Sequence, residues 1–136
     1  MHAHITIITL GVDDIQRALH FYRDGLGLPS LGPLGSEADH TAVAVLDLDG
    51  GLKLSLFQRG DLAADANLPA GGRSPAEFSL GHNVASKAAV DAVMEQARSA
   101  GAVITDAAHD RLWGGYSGYF QDPDGHLWEV AWDPNP

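Results

Sequence analysis

The chain has 136 residues, 45% of them hydrophobic, and 18 acidic side chains against 8 Lys and Arg, a formal net charge of −10. That length suits one domain or two small halves sharing a core, and the acidic balance excludes binding to a phosphate backbone, which needs clustered cations. No apolar run approaches the roughly 20 residues of a membrane span, no secretory signal opens the chain, and cysteine is absent, so a soluble cytoplasmic protein with neither nucleic-acid nor membrane partners is expected.

The first half opens with HITIITLGV, His4 to Val12, whose β-branched residues predict a strand. A helix follows: Asp13 or Asp14 can cap it, Ile15, Ala18, Leu19, Tyr22 and Leu26 form an apolar stripe at helical spacing, and Gly25 to Pro29 stops it. After a Gly-bearing loop, His40 to Leu48 and Leu52 to Phe57 read as strands around the turn Asp49-Gly50-Gly51. The polar segment from Gln58 to about Pro75 lacks periodicity and reads as a connection.

The same order then repeats. Glu77 to Val84 reads as a strand and Ser86 as an N-cap; Val90, Val93, Met94 and Ala97 make a helical stripe ending at Gly101. Ala102 to Thr105 begins another strand. The last stretch, GGYSGYFQDPDGHLWEVAW, gives two strands around Asp122-Pro123-Asp124-Gly125, where Pro presets one turn dihedral and Gly supplies another. The expected division is a module over 1–57, a linker over 58–76 and a module over 77–136. Two βαβββ modules with curved mixed sheets, an α+β fold enclosing a cleft, account for the pattern; a ferredoxin-like pair is the structural alternative.

Strand alternation places Leu127, Glu129 and Ala131 on one face and His126, Trp128, Val130 and Trp132 on the other. An acid in an apolar strand is a solvent-facing filler, an ion-pair partner, or a functional ligand or base. The two tryptophans on the opposite face are expected beneath a helix or in a dimer seam. Trp113, Tyr116 and Tyr119 interleave with glycines, which suits either packing of twisted strands or a ligand pocket. A face shared with Glu129 is expected to include Tyr116, Gly118 and Phe120 from the facing strand, with Thr9, Ser79 and Asn83 from the first strands of the halves. His82 reads as a hydrogen-bonded core residue before a ligand, and His2 and His4 as a frayed terminus. Asp122 and Asp124 belong to a turn, and DPDG lacks the spaced ligands of a calcium loop.

The segments ITLGVDDIQRALHFYRDGLGLP and WGGYSGYFQDPDGHLWEVAW together resemble the vicinal oxygen chelate superfamily, the group of glyoxalases, bleomycin-resistance proteins and extradiol dioxygenases. The resemblance spans both halves and implies paired βαβββ modules, usually assembled as a homodimer. It also implies a cleft in which up to four side chains from the first and last strand of each module hold a divalent metal that chelates neighbouring substrate oxygens. Carried over one at a time, those positions fall on Ile7, Ser55, Ser79 and Glu129. Only Glu129 keeps a usual ligand; a register shift of one residue in the third would present His82. A divalent cofactor is therefore not favoured. The expectation is a protein that binds a small organic molecule, with Glu129 as its anchor or base and a pocket including Thr9, Ser55, Ser79, Asn83, Trp113, Tyr116 and Phe120. The alternatives are a metal-dependent lyase, isomerase or dioxygenase, and a non-catalytic protein that sequesters a drug or metabolite.

Overall fold

The computed structural model describes residues 1–71 and 78–135 and divides into two compact units, Met1–Gly72 and Arg73–Pro136. In the first, β1 (Ile7–Val12) leads into α1 (Ile15–Leu19), which continues as one wider turn over His20–Gly25. Asp14 is the cap, its carboxylate accepting the Arg17 amide at 3.1 Å. In the wider turn the Leu26 amide donates to the Phe21 carbonyl five residues back, at 2.9 Å. Such a turn rotates less per residue than an α-helix, so Leu26 drifts off the predicted stripe and is half-buried. Phe21 and Tyr22 are instead both buried, their rings edge-to-face at 5.0 Å.

Three more strands, β2 (Pro33–Leu34), β3 (Val43–Asp47) and β4 (Lys53–Gln58), complete a sheet in the order β1-β4-β3-β2, with β1 and β4 parallel and the rest antiparallel. Gly50 and Gly51, at φ 75° and 83°, make the turn between β3 and β4. Register aligns Leu10 with Leu56 and Ala44, and Leu54 with Leu46; all five are buried, as are Ile15, Ala18 and Leu19 of α1. The other face carries Thr9, Ser55 and Val45 side by side.

The expected linker over 58–76 is not featureless. Its first part forms α2 (Arg59–Asp65), which packs on β1 and β4; a Cβ at Gly11 would lie 3.5 Å from both Arg59 and Leu62. Residues 72–77 lie outside the described residues, and with them Glu77, the expected start of the next strand.

In the second unit, β5 (Ser79–Asn83) precedes α3 (Lys87–Ser99), followed by β6 (Val103–Asp110), β7 (Tyr116–Gln121) and β8 (Leu127–Trp132). The sheet order, β5-β8-β7-β6, repeats that of the first unit. Ser86 caps α3 by accepting the Ala89 amide at 3.1 Å, and Val90, Met94 and Ala97 are its buried residues. Phe120 and Val130 are buried on the α3 side of the sheet. Helix and sheet meet closely where Gly118 lies, since a Cβ there would be 2.7 Å from Met94 Cε and 3.0 Å from the Ala108 amide nitrogen. Each unit is thus βαβββ with no α-helix between its last two strands, only the short turn over Asp49–Gly51 in the first, which overturns the ferredoxin-like alternative. No helix among the described residues is long and apolar enough to cross a membrane.

Candidate functional site

The turn between β7 and β8 decides what faces Glu129. The Asp122 carboxylate accepts the amides of Asp124 at 2.9 Å and His126 at 2.8 Å, and its second oxygen lies 2.7 Å from His126 Nδ1. The Asp122 amide donates to the His126 carbonyl, so the loop runs over the five residues 122–126. Gln121 therefore pairs with Leu127, and Glu129 sits opposite Tyr119. A loop one residue shorter would have put Gly118 opposite Glu129 and flipped the whole facing strand.

That register corrects all three expected neighbours, Tyr116, Gly118 and Phe120; Gly118 pairs with Val130. Phe120 pairs with Trp128 and Tyr116 with Trp132, all on the side away from Glu129. Phe120 is 2% exposed and stacks on Trp128 at 6.0 Å, while the Tyr116 hydroxyl donates to Asp91 of α3 at 2.6 Å. This contact and burial raise the Tyr116 phenol above its ordinary range. Both residues pack toward the helix; Trp128 and Trp132 lie opposite Glu129, as strand alternation predicted, and so share a side with Tyr116 and Phe120.

On the Glu129 side, the parallel register of β5 and β8 sets Gly81 beside Glu129 and puts Ser79, Asn83 and Ala131 on the same face. His82 pairs with Val130 on the opposite face, so the register that would present it beside Glu129 is not the one formed; it is also exposed, not a core histidine. Trp113 is 53% exposed, and its indole covers Gly115, where a Cβ would come within 1.9 Å of the ring. Thr9 and Ser55 lie opposite each other in the first unit, Thr9 exposed and Ser55 buried.

Tyr119, read from the sequence as packing or pocket lining, is the direct cross-strand partner of Glu129, while Arg111, Asp106 and His109 escaped the sequence reading. Burial, then the neighbouring Glu129 carboxylate, raise the Tyr119 phenol above its usual range and keep it a neutral donor. The Arg111 guanidinium lies 5.4 Å from the Tyr119 ring centroid. Its Nε donates to Ser117 Oγ at 2.8 Å, and Nη2 donates to the Ser117 carbonyl at 3.0 Å and to Asp106 at 2.8 Å. His109 also bonds Asp106, at 3.1 Å, and these two contacts hold the Asp106 carboxyl below the usual carboxylate range. Asp106 reaches this face through a bulge: Ile104 pairs with Phe120, yet Asp106, not Thr105, pairs with Tyr119. No periodicity signals a bulge, so the sequence offered no route to Arg111 or Asp106.

The four positions to which the resemblance carries the metal ligands offer few donors. Ile7 has no donor atom, Ser55 and Ser79 offer only neutral hydroxyls, and Glu129 is the one carboxylate among them. Among the described residues no group of three or more His, Cys, Asp or Glu is placed to hold a metal. What the second unit does assemble is an anionic acceptor, a neutral phenolic donor and a guanidinium held against the phenol ring.

The profile of the Glyoxalase/Bleomycin resistance protein/Dioxygenase superfamily matches residues 3–130. A glyoxalase-related enzyme from Fulvimarina pelagi is 27% identical, with a TM-score of 0.83 over 98% of this chain and 90% of that one. A lactoylglutathione lyase from Agrobacterium tumefaciens is 26% identical, with a TM-score of 0.70 over 97% of this chain and 95% of its own. An uncharacterized protein of Mycobacterium bovis is 30% identical over 126 residues, 90% of this chain and 78% of the relative. With the profile spanning both βαβββ units, the chain belongs to the glyoxalase/bleomycin resistance protein/dioxygenase superfamily.

Proposed function

We propose that this protein binds a small organic molecule on the sheet face that carries Glu129, with that carboxylate as polar anchor and no tightly held divalent ion. The observation that carries the reading is the Tyr119–Glu129 pair, an acceptor and a neutral donor fixed side by side on β7 and β8. Glu129 would accept a hydrogen bond or a proton from the ligand, and Tyr119 would donate to a ligand oxygen. Arg111 supports the pair: its fork on Ser117 and its place against the Tyr119 ring fix where the phenol points. A metal-dependent lyase, isomerase or dioxygenase would need donors that Ile7, Ser55 and Ser79 do not supply. Capture and turnover share this binding step, and a product assay on any binder separates them.

The test is a thermal-shift screen of small organic molecules on the wild type and on Glu129→Gln. Binders should raise the melting temperature of the wild type and leave that of the variant unmoved, while the unliganded proteins melt alike. Equal shifts in both proteins would place the binding elsewhere and remove Glu129 from the site.

A further inference from the structure

The groups around Glu129 differ in what already satisfies them. Arg111 is the cation on this part of the sheet, yet it is committed to Ser117 and Asp106. Asp106 has two partners, Arg111 and His109. Glu129 has no ion pair among the described residues, and its cross-strand neighbour on β7 is the neutral phenol of Tyr119. An uncompensated carboxylate on β8 is thus separated by Tyr119 of β7 from a compensated one on β6.

The space beside it is also open. Gly81 is the direct register partner of Glu129 on β5, and a Cβ built there would meet nothing within 4 Å. Its φ is not in the left-handed range, so neither backbone conformation nor packing requires glycine at this position. Glycine also weakens an exposed strand. Gly118 is the contrast, because Met94 and the Ala108 backbone crowd the place of its Cβ. Ser79 and Asn83, on either side of Gly81 and on the same face, are exposed and add neutral oxygen acceptors.

We infer that Glu129, with the gap over Gly81 and the acceptors of Ser79 and Asn83, forms a subsite for an organic ammonium group, and that Gly81 is its specificity-determining residue. The subsite rests on the proposed small-molecule reading and adds to it the charge of the ligand. An ammonium supplies the donors that a carboxylate and neutral oxygens lack, as charge-assisted bonds. The net charge of −10 favours the approach of a cation. An anionic ligand would meet Glu129 unshielded, because Arg111 is held by other partners.

The experiment compares benzylamine, benzyl alcohol and benzoate, three probes of similar size and different charge, by NMR titration of the backbone amides of residues 79–83 and 127–131. Measurements on the wild type, Glu129→Gln and Gly81→Leu cover both halves of the inference. Benzylamine should shift these amides and bind at least about tenfold more tightly than the other two, and each substitution should weaken it by about tenfold or more. Equal binding of benzyl alcohol or benzoate on the same strip, or benzylamine binding unchanged by both substitutions, would overturn the ammonium subsite while leaving small-molecule binding standing. Loss in Glu129→Gln alone would remove Gly81 from the inference. Absence of shifts on this strip with all three probes would overturn both the subsite and the reading beneath it.

Discussion

Tyr119 and Glu129 are direct partners across β7 and β8, so the phenol of one stands beside the carboxylate of the other. Burial and the neighbouring negative charge both favour the neutral phenol, so Tyr119 should ionise above the ordinary tyrosine value of about 10. A folded-state pKa raised above the unfolded one contributes stability that is fully present below the unfolded value and is lost as pH rises through the folded one. Followed by tyrosinate absorbance, one late-titrating phenol should vanish in Tyr119→Phe and titrate earlier in Glu129→Gln. An unchanged curve in Glu129→Gln would deny the contact.

Arg111 should matter for the fold as well as for the site. Arg111→Met keeps the stem but leaves the carbonyl of the buried Ser117 without this donor, which should cost about 1–3 kcal/mol in urea unfolding. Arg111→Lys restores a charge for Asp106 without the fork and should recover only part of the loss. Because Asp106 is held low in the folded state, its contribution is present above the unfolded carboxyl value of about 3.9 and disappears as pH falls through the folded one. The stability gap between wild type and Asp106→Asn should therefore close on acidification; a gap constant down to acid pH would contradict the ion pair.

Asp122→Ala should be more damaging than an ordinary turn substitution. It removes the acceptor of two backbone amides and the partner of His126, from a site where Asp122 is 3% exposed. A loss of about 1–3 kcal/mol in chemical denaturation is expected. The amides of residues 116–121 and 127–132 should also shift, since this loop sets the pairing of Tyr119 with Glu129; shifts confined to 122–126 would show that the register is held without it.

The same loop explains how far the sequence could be read. Alternation along β8 alone places Glu129 opposite in sense to Trp128 and Trp132, and the two helical stripes and the repeated βαβββ order are legible from spacing. The partners across the hairpin depended on one residue. Asp122-Pro123-Asp124-Gly125 reads as a four-residue turn, which selects Tyr116, Gly118 and Phe120 as the neighbours of Glu129. His126, drawn into the loop by Asp122, makes it five residues and selects Tyr119. The bulge that delivers Asp106 and the reach of Arg111 to Ser117 depend on tertiary contacts with no periodic trace.

In the first unit, Phe21→Ala should destabilise by roughly 3–5 kcal/mol, because the residue is 1% exposed and packs edge-to-face on Tyr22. Thr9→Ala, on the exposed side of the same sheet, should stay within about 0.5 kcal/mol. Similar thermal melts for the two variants would contradict the assignment of the core to the α1 side.

The most direct measurement is a calorimetric titration of Mn, Fe, Ni and Zn ions, each added singly to the wild type and to Glu129→Ala. The expected result is no stoichiometric binding that depends on Glu129, as a single carboxylate with Ile7, Ser55 and Ser79 provides too few donors. One ion bound per chain in the wild type and lost in Glu129→Ala would contradict it, and would make Glu129 a metal ligand instead of the anchor for an organic molecule.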